Sequence, residues 1–145
     1  MKRLPELQRI SMEHHQGLVF SRKVKRAAAS GEEDRIADMW VKVEASYKTE
    51  LKTHFQIEEQ YIATVLEQHG ETKLVEQLNA EHTAIRQIFL PGSGRTAADL
   101  NNFAVLLEQH IRFEEREFME TAQKYMSTDE LQAVADACNA AQAET

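Results

Sequence analysis

Four histidines and two glutamates occur in this chain at spacings that place them on the same helix faces as apolar residues. The set is His14, His54, Glu58, His82, His110 and Glu114. Each lies three or four residues from an apolar side chain, as His54 does from Leu51 and Glu114 does from Phe118. Such spacings put side chains on one face of a helix. Helices around these residues would each direct one histidine into a core, and two of them would add a glutamate one turn later.

The two inward glutamates decide what chemistry this set can do. A single histidine in an apolar stripe is ordinarily a half-buried polar residue, but glutamate is almost never fully buried without a partner. No lysine or arginine shares the inward face at the same spacing, and unpaired burial of two carboxylates is costly. The set therefore predicts two metal cations, with each carboxylate bridging both ions. Imidazole and carboxylate ligands suit iron, with manganese or zinc as alternatives.

The predicted ligand count leaves room for a small exogenous ligand. Two histidines and two bridging oxygens per ion leave coordination positions for dioxygen or peroxide. In the metal-free chain, Glu58 and Glu114 would face each other across the core. One of them is then expected to take up a proton, with a raised pKa.

The elements that position these residues are predicted to be helices. The 145 residues include only 5 glycines and 2 prolines, and no segment alternates with the period of a strand. The predicted helices cover residues 5–29, 32–68, 71–89, 96–125 and 128–140. Short connections make neighbouring helices antiparallel. The sequence thus predicts an all-α fold, an up-down-up-down four-helix bundle with a short C-terminal fifth helix, in a single domain over residues 1–145.

Charge and cysteine content bear on partners and compartment. The net charge of −7 disfavours nucleic acid and anionic membranes as partners. No apolar run follows the basic N-terminus, so neither a signal peptide nor a membrane span is expected. A single cysteine, Cys138, allows no disulfide within one chain, and it is assigned no role. The expected compartment is the cytoplasm, and the pattern gives no indication of oligomeric state.

Several neighbouring residues have alternative interpretations. His14 is preferred over His15 as the first ligand because His14 is in phase with the apolar stripe of its helix. Glu115 lies off its stripe and is expected to be solvated. Glu81 could be an extra ligand, but a flanking residue is the preferred interpretation. Glu50, one turn before the second histidine, could orient that ring, but a plain surface acid is the preferred interpretation.

The pattern His14, His54-x-x-x-Glu58, His82, His110-x-x-x-Glu114 resembles the hemerythrin-like (HHE cation-binding) domains of the four-histidine bacterial type. The segments His54-Phe55-Gln56-Ile57-Glu58-Glu59 and Glu81-His82 are typical of these domains, and the resemblance covers nearly the whole chain. It implies a carboxylate-bridged di-iron centre with an oxo or hydroxo group as a further bridge. By that resemblance His14 and His54 serve one iron, His82 and His110 serve the other, and Glu58 and Glu114 bridge them.

The sequence departs from the oxygen-carrying hemerythrins at two positions. Those proteins have a second histidine one turn after the one on the third helix, where this chain has Arg86, expected to be a solvated side chain that cannot ligate. They also end in His-x-x-x-x-Asp, where this chain has Glu114 four residues after His110. Without the fifth histidine, the two ions are expected to be nearly equivalent and both reachable, which disfavours reversible oxygen carriage.

The resulting hypothesis is a non-haem di-iron protein that binds, senses or reduces dioxygen or a related small oxidant. The first alternative is iron or cation binding for storage or supply without redox catalysis. The second is a structural helical module whose polar core residues only fix packing. Whether the chain is an enzyme is left open.

Overall fold

The computed structural model describes residues 2–143 as a bundle of five helices joined by short turns. A 3-10 turn, Pro5–Leu7, leads into α1 (Gln8–Ala28); α3 is Thr72–Ile88 and α5 is Thr128–Ala143. Two longer helices, α2 over residues 33–68 and α4 over residues 97–125, contain π-helical turns. Residues 2–143 contain no strand and no helix long and apolar enough to cross a membrane. The predicted all-α bundle is confirmed, and its fifth helix continues to Ala143 rather than ending near residue 140.

The π-helical turns lie close to the glutamates singled out above. They are Tyr47–Leu51 and Glu58–Ala63 in α2, and Glu114–Phe118 in α4. Two of the three therefore begin at Glu58 and at Glu114. A π-helical turn inserts one extra residue into the helical repeat and occurs frequently at functional sites. Here the extra residue rotates the side chains that follow it around the helix axis, at the level of the two carboxylates.

Local sequence signals set the helix ends. Gly31 and Gly70 adopt φ angles of 72° and 83°, a left-handed conformation that costs glycine little and ends α1 and α2. At the start of α4, the Thr96 hydroxyl accepts a hydrogen bond from the Asp99 N–H, and the Asp99 carboxylate accepts one from the Thr96 N–H. This capping box satisfies donors that would otherwise lack partners in the first turn.

The bundle buries two apolar clusters, one at each end. The first includes Leu7, Ile10, Ile62, Leu66, Leu78, Phe118 and Met119. The second includes Val24, Val43, Phe55, Ile85, Phe103, Leu107 and Ile111. Close packing of α1 on α4 depends on Gly17, where a Cβ would lie 2.7 Å from Ile111 Cδ1. The fifth helix packs on the 3-10 turn and on the middle of α2, so it belongs to the first cluster.

Candidate metal centre

A buried polar layer separates the two apolar clusters. On α3, for example, Leu78 belongs to one cluster and Ile85 to the other, and His82 lies between them. The exposed fractions of the six residues are small: His14 3%, His54 8%, Glu58 0%, His82 0%, His110 1% and Glu114 0%. All six residues that the sequence singled out are therefore brought together in the middle of the core.

The two glutamates each extend one carboxylate oxygen toward each of two pairs of histidines. Glu58 Oε2 lies 2.9 Å from His54 Nε2, while Glu58 Oε1 lies 3.2 Å from His82 Nε2. Glu114 Oε2 lies 2.5 Å from His14 Nε2, while Glu114 Oε1 lies 3.4 Å from His110 Nε2. Two four-residue groups result, each with ligand atoms within 4.8 Å of one another. We call them the first half-site (His14, His54, Glu58, Glu114) and the second half-site (His82, His110, Glu58, Glu114).

The polar atoms that face this layer lack the partners that buried groups normally have. Glu58 Oε1, His82 Nε2, His110 Nε2 and both carboxylate oxygens of Glu114 make no hydrogen bond. In the first half-site, His14 Nε2 and His54 Nε2 approach each other to 3.1 Å. Orphaned buried polar atoms are rare because they cost free energy, and the two Nε2 atoms repel at that distance when both carry lone pairs or both carry protons. Cations shared among these atoms would remove both penalties, so the donor set fits metal ions.

The Nδ1 atom of each histidine, on the side of the ring away from the layer, also contacts a second glutamate. The Nδ1–Oε distances are 2.8 Å for His14–Glu115, 3.0 Å for His54–Glu13, 2.6 Å for His82–Glu59 and 2.7 Å for His110–Glu81. A carboxylate at Nδ1 favours the tautomer with the proton on Nδ1, which leaves the Nε2 lone pair directed into the layer. We call these four residues the outer glutamates.

The outer glutamates form a closed ring around the bundle. The outer glutamate of α1 binds the histidine of α2, and that of α2 binds the histidine of α3. The outer glutamate of α3 binds the histidine of α4, and that of α4 binds the histidine of α1, which closes the ring. We call the six residues of the polar layer the inner residues. Each outer glutamate is the sequence neighbour of one of them: Glu13 of His14, Glu59 of Glu58, Glu81 of His82 and Glu115 of Glu114. Successive helical residues point ~100° apart, so one residue faces the layer and its neighbour reaches the next helix.

A further set of side chains holds the outer glutamates. Arg86 donates two hydrogen bonds to Glu59, at 2.7 and 3.0 Å. The Glu115 carboxylate accepts from Ser11 at 3.0 Å and from Arg3 at 3.5 Å. Two weaker or neutral contacts complete the set: Arg9 donates to Glu13 at 3.4 Å and Gln77 to Glu81 at 2.9 Å. Three of the four outer glutamates are thus paired with arginine, and Glu81 with a neutral amide.

These contacts correct three sequence-based expectations and add two residues that the sequence did not single out. Glu115 and Glu81 were expected to be solvated or flanking, but each binds a histidine of the layer. Arg86 was expected to be solvated, but it binds Glu59 with a side chain only 32% exposed. Glu13 and Glu59 were missed, although their position beside an inner residue was a usable signal.

The alternatives for the first and second histidines have clear outcomes in the structure. His15 is exposed, while its neighbour His14 is buried in the layer. Glu50 is exposed and lies outside the ring, and Glu13 rather than Glu50 is the carboxylate at His54. The phase of the apolar stripe predicted which of the two neighbouring histidines is buried. Spacing within α2 could not predict a partner from another helix.

In the metal-free chain the histidines, not the glutamates, hold the extra protons. Burial lowers the pKa of His82, but the nearby carboxylates of Glu114, Glu58 and Glu59 outweigh burial and raise it to about 11. Burial likewise lowers the pKa of His54, and Glu58 and Glu13 raise it to about 9. The pKa of Glu114 is held well below its usual range despite burial, because His110 and His14 lie beside it. The expected raised pKa of a glutamate is therefore wrong in direction.

The two half-sites differ in their surroundings. Both histidines of the first half-site line a cavity between α1 and α2, as does His110 of the second. His82, by contrast, is fully buried beneath the Phe55 ring, with centroids 4.0 Å apart and planes within 17°. Cys138, to which no role was assigned, is buried in α5 and lines the same cavity. The ligand sets of the two half-sites are equivalent, as expected, but their surroundings differ.

Comparison with known proteins identifies the family. The model of the hemerythrin HHE cation-binding domain matches residues 6–122, which include all six residues of the polar layer. No curated protein and no solved structure matches the chain. The match extends over most of the chain and coincides with the buried imidazole–carboxylate layer, which fits cation binding. The chain therefore belongs to the hemerythrin HHE cation-binding domain family.

Proposed function

We propose that this chain binds two iron ions and uses them to bind, sense or reduce dioxygen or a related small oxidant such as peroxide. The observation that carries the proposal is the division of each inner carboxylate between the half-sites, with one oxygen toward each. A glutamate from each of two facing helices, together with histidines, is how helical bundles bind di-iron centres. Bound iron would supply one-electron chemistry toward the oxidant.

The surrounding residues support a centre whose ligands are oriented and which is reachable from one side. The outer glutamates hold each imidazole so that Nε2 faces the layer, and contacts of this kind raise metal affinity. The two apolar clusters close the layer from both ends of the bundle. A cavity at the first half-site gives a small oxidant access without unfolding of the bundle.

Reversible oxygen carriage is not the function we propose. A carrier is favoured when one iron is saturated and the other has a single vacancy. Here Arg86 occupies the position of the additional histidine and is engaged by Glu59. Each half-site has two imidazoles and shares two carboxylates, so a reduced centre is expected to oxidise rather than hold oxygen reversibly.

The test combines metal analysis with rapid mixing. Protein purified from iron-replete cells should contain two irons per chain by elemental analysis, with a ferric optical spectrum. The reduced protein, mixed with dioxygen in a stopped-flow instrument, should oxidise and stay oxidised after degassing. A spectrum that returns to the reduced form under vacuum would support a carrier. Two irons without oxygen consumption would support storage or supply, and one tightly bound zinc would contradict the proposal.

A further inference from the structure

A cavity of about 960 Å³ connects the protein surface with the metal centre. Its inner end is lined by His14, His54 and His110, and its outer part by exposed residues of α2. The mouth lies beside the π-helical turn Tyr47–Leu51, after the α2 segment Glu33–Ser46 that packs on α1. On the far side, residues of α5 line the cavity. The metal centre is therefore accessible from one side of the bundle, where α1, α2 and α5 meet.

The size and lining of the cavity exceed what dioxygen requires. Sites for small organic molecules are concave, mostly apolar and roughly 300–1,000 Å³ in volume, and this cavity lies near the upper end of that range. Its inner wall carries apolar side chains, among them Phe20, Leu107 and Ile111. An organic molecule could place an apolar part against this wall while it contacts the first half-site.

The mouth carries an excess of free positive charge. Lys42 and Lys48 line the cavity, are exposed, and make no ion pair with any residue in the range 2–143. Arg9 also lines it, but it is bound to Glu13. Glu50 also lies at the mouth. It is exposed and is not one of the outer glutamates, so its carboxylate counts against the two lysines. Two free ammonium groups against one free carboxylate make this mouth locally positive on a chain whose net charge is −7.

We propose that this cavity binds a small organic anion, with its apolar body against the inner wall and its charged group toward Lys42 and Lys48. The proposal rests on the proposed function, because the bound molecule would lie beside the iron pair and be its co-substrate or effector. Steering by the two lysines would favour an anion over a cation or a neutral molecule of the same length.

The experiment measures binding of three probes to the iron-loaded full chain by calorimetry. Octanoate has the apolar body and the charge, acetate has only the charge, and octylammonium has the body with the opposite charge. Octanoate should bind at least about tenfold more tightly than acetate, because buried methylenes add affinity. It should also bind more tightly than octylammonium and shift the ferric absorption bands. Equal affinity for octanoate and acetate would overturn the proposal, since simple coordination of a carboxylate to iron would explain it.

Matched variants locate the binding site. Thr49 and Thr64 are both exposed residues of α2 whose hydroxyls donate to the carbonyl four residues earlier, at 2.9 and 2.8 Å, but only Thr49 lines the cavity. Thr49→Trp should weaken octanoate binding about tenfold or more by filling the mouth, while Thr64→Trp should leave it unchanged. If Thr49→Trp does not fold, Ser46→Phe, at another lining position, tests the same point. Equal effects of the cavity variant and Thr64→Trp would overturn the proposal.

A pair of lysine variants and an assay of iron content complete the design. Lys48→Gln should weaken octanoate binding, while Lys52→Gln, an exposed lysine of α2 outside the cavity, should not. Equal effects would overturn the role of charge at the mouth. Iron content is measured on the same samples. Two irons per chain without octanoate binding would overturn this inference alone, whereas absence of iron would overturn the proposed function.

Discussion

The two half-sites use the same ligand types but have different surroundings. His14 and His54 lie beside a cavity, and His54 retains 8% exposure. His82 is fully buried under Phe55, and its outer glutamate is clamped by two hydrogen bonds from Arg86. A symmetric ligand pattern can thus place three of its imidazoles beside a cavity and enclose the fourth, His82. The difference comes from what packs around the ligands, namely where α1 and α2 separate and where an aromatic ring covers an imidazole.

The largest expected effect is removal of an inner ligand. His14→Ala should lose at least one of the two metal ions, because the first half-site would keep a single imidazole. His82→Ala should do the same for the second half-site. His15→Ala is the matched control, because His15 is the exposed neighbour of His14 and should retain both ions. Elemental analysis of the purified variants measures the outcome. Metal loss in His15→Ala with retention in His14→Ala would show that His15, and not His14, faces the metal centre.

The outer glutamates should have the next largest effect. Glu13→Gln and Glu59→Gln each remove the charge that orients one histidine, and loss of such a contact lowers metal affinity about 10- to 100-fold. Glu59→Gln should lower metal affinity more than Glu13→Gln, because it would also leave Arg86 without its partner. Glu50→Gln is the control, since Glu50 lies on the same helix but is exposed. Competition with a chelator gives the affinities; an equal loss in Glu50→Gln would refute a specific role for the ring.

Arg86 is expected to act only through Glu59, so its removal should have a smaller effect. Arg86→Gln should weaken metal binding by less than Glu59→Gln, because the carboxylate at His82 remains. The control is Arg112→Gln, which breaks the half-buried pair between Arg112 and Glu108. Absorption spectra of the iron-loaded variants should change for Arg86→Gln alone. A larger loss for Arg86→Gln than for Glu59→Gln would show a direct contact of Arg86 with the centre.

Proton release on metal binding should be the subtlest signal. In the metal-free chain the pKa of His54 is raised to about 9 and that of His82 to about 11, so both imidazoles are protonated at neutral pH. Metal binding requires neutral imidazole and must displace these protons. Metal affinity should therefore rise with pH. Calorimetry in buffers of different ionisation enthalpy measures the number released, and a heat independent of buffer would contradict this assignment.

Sequence determined the helical bundle and the inner residues because both depend on helical periodicity. Spacings of three and four residues place His54 and Glu58 on one face whatever the neighbouring helices do. The strong turn signals, such as Gly31 and Gly70, likewise act within a few residues of the chain. Periodicity also distinguished His14 from His15, since adjacent helical residues point in different directions.

Only the tertiary structure decided which residues hold the inner ones and which imidazole is enclosed. The contacts of Glu13 with His54 and of Glu115 with His14 join residues 41 and 101 positions apart. No pattern within one helix specifies which side chain of another helix it will meet. The enclosure of His82 beneath Phe55, and the cavity beside His14, likewise depend on how far neighbouring helices separate. That separation is set by packing across the bundle and not by the period of any one helix.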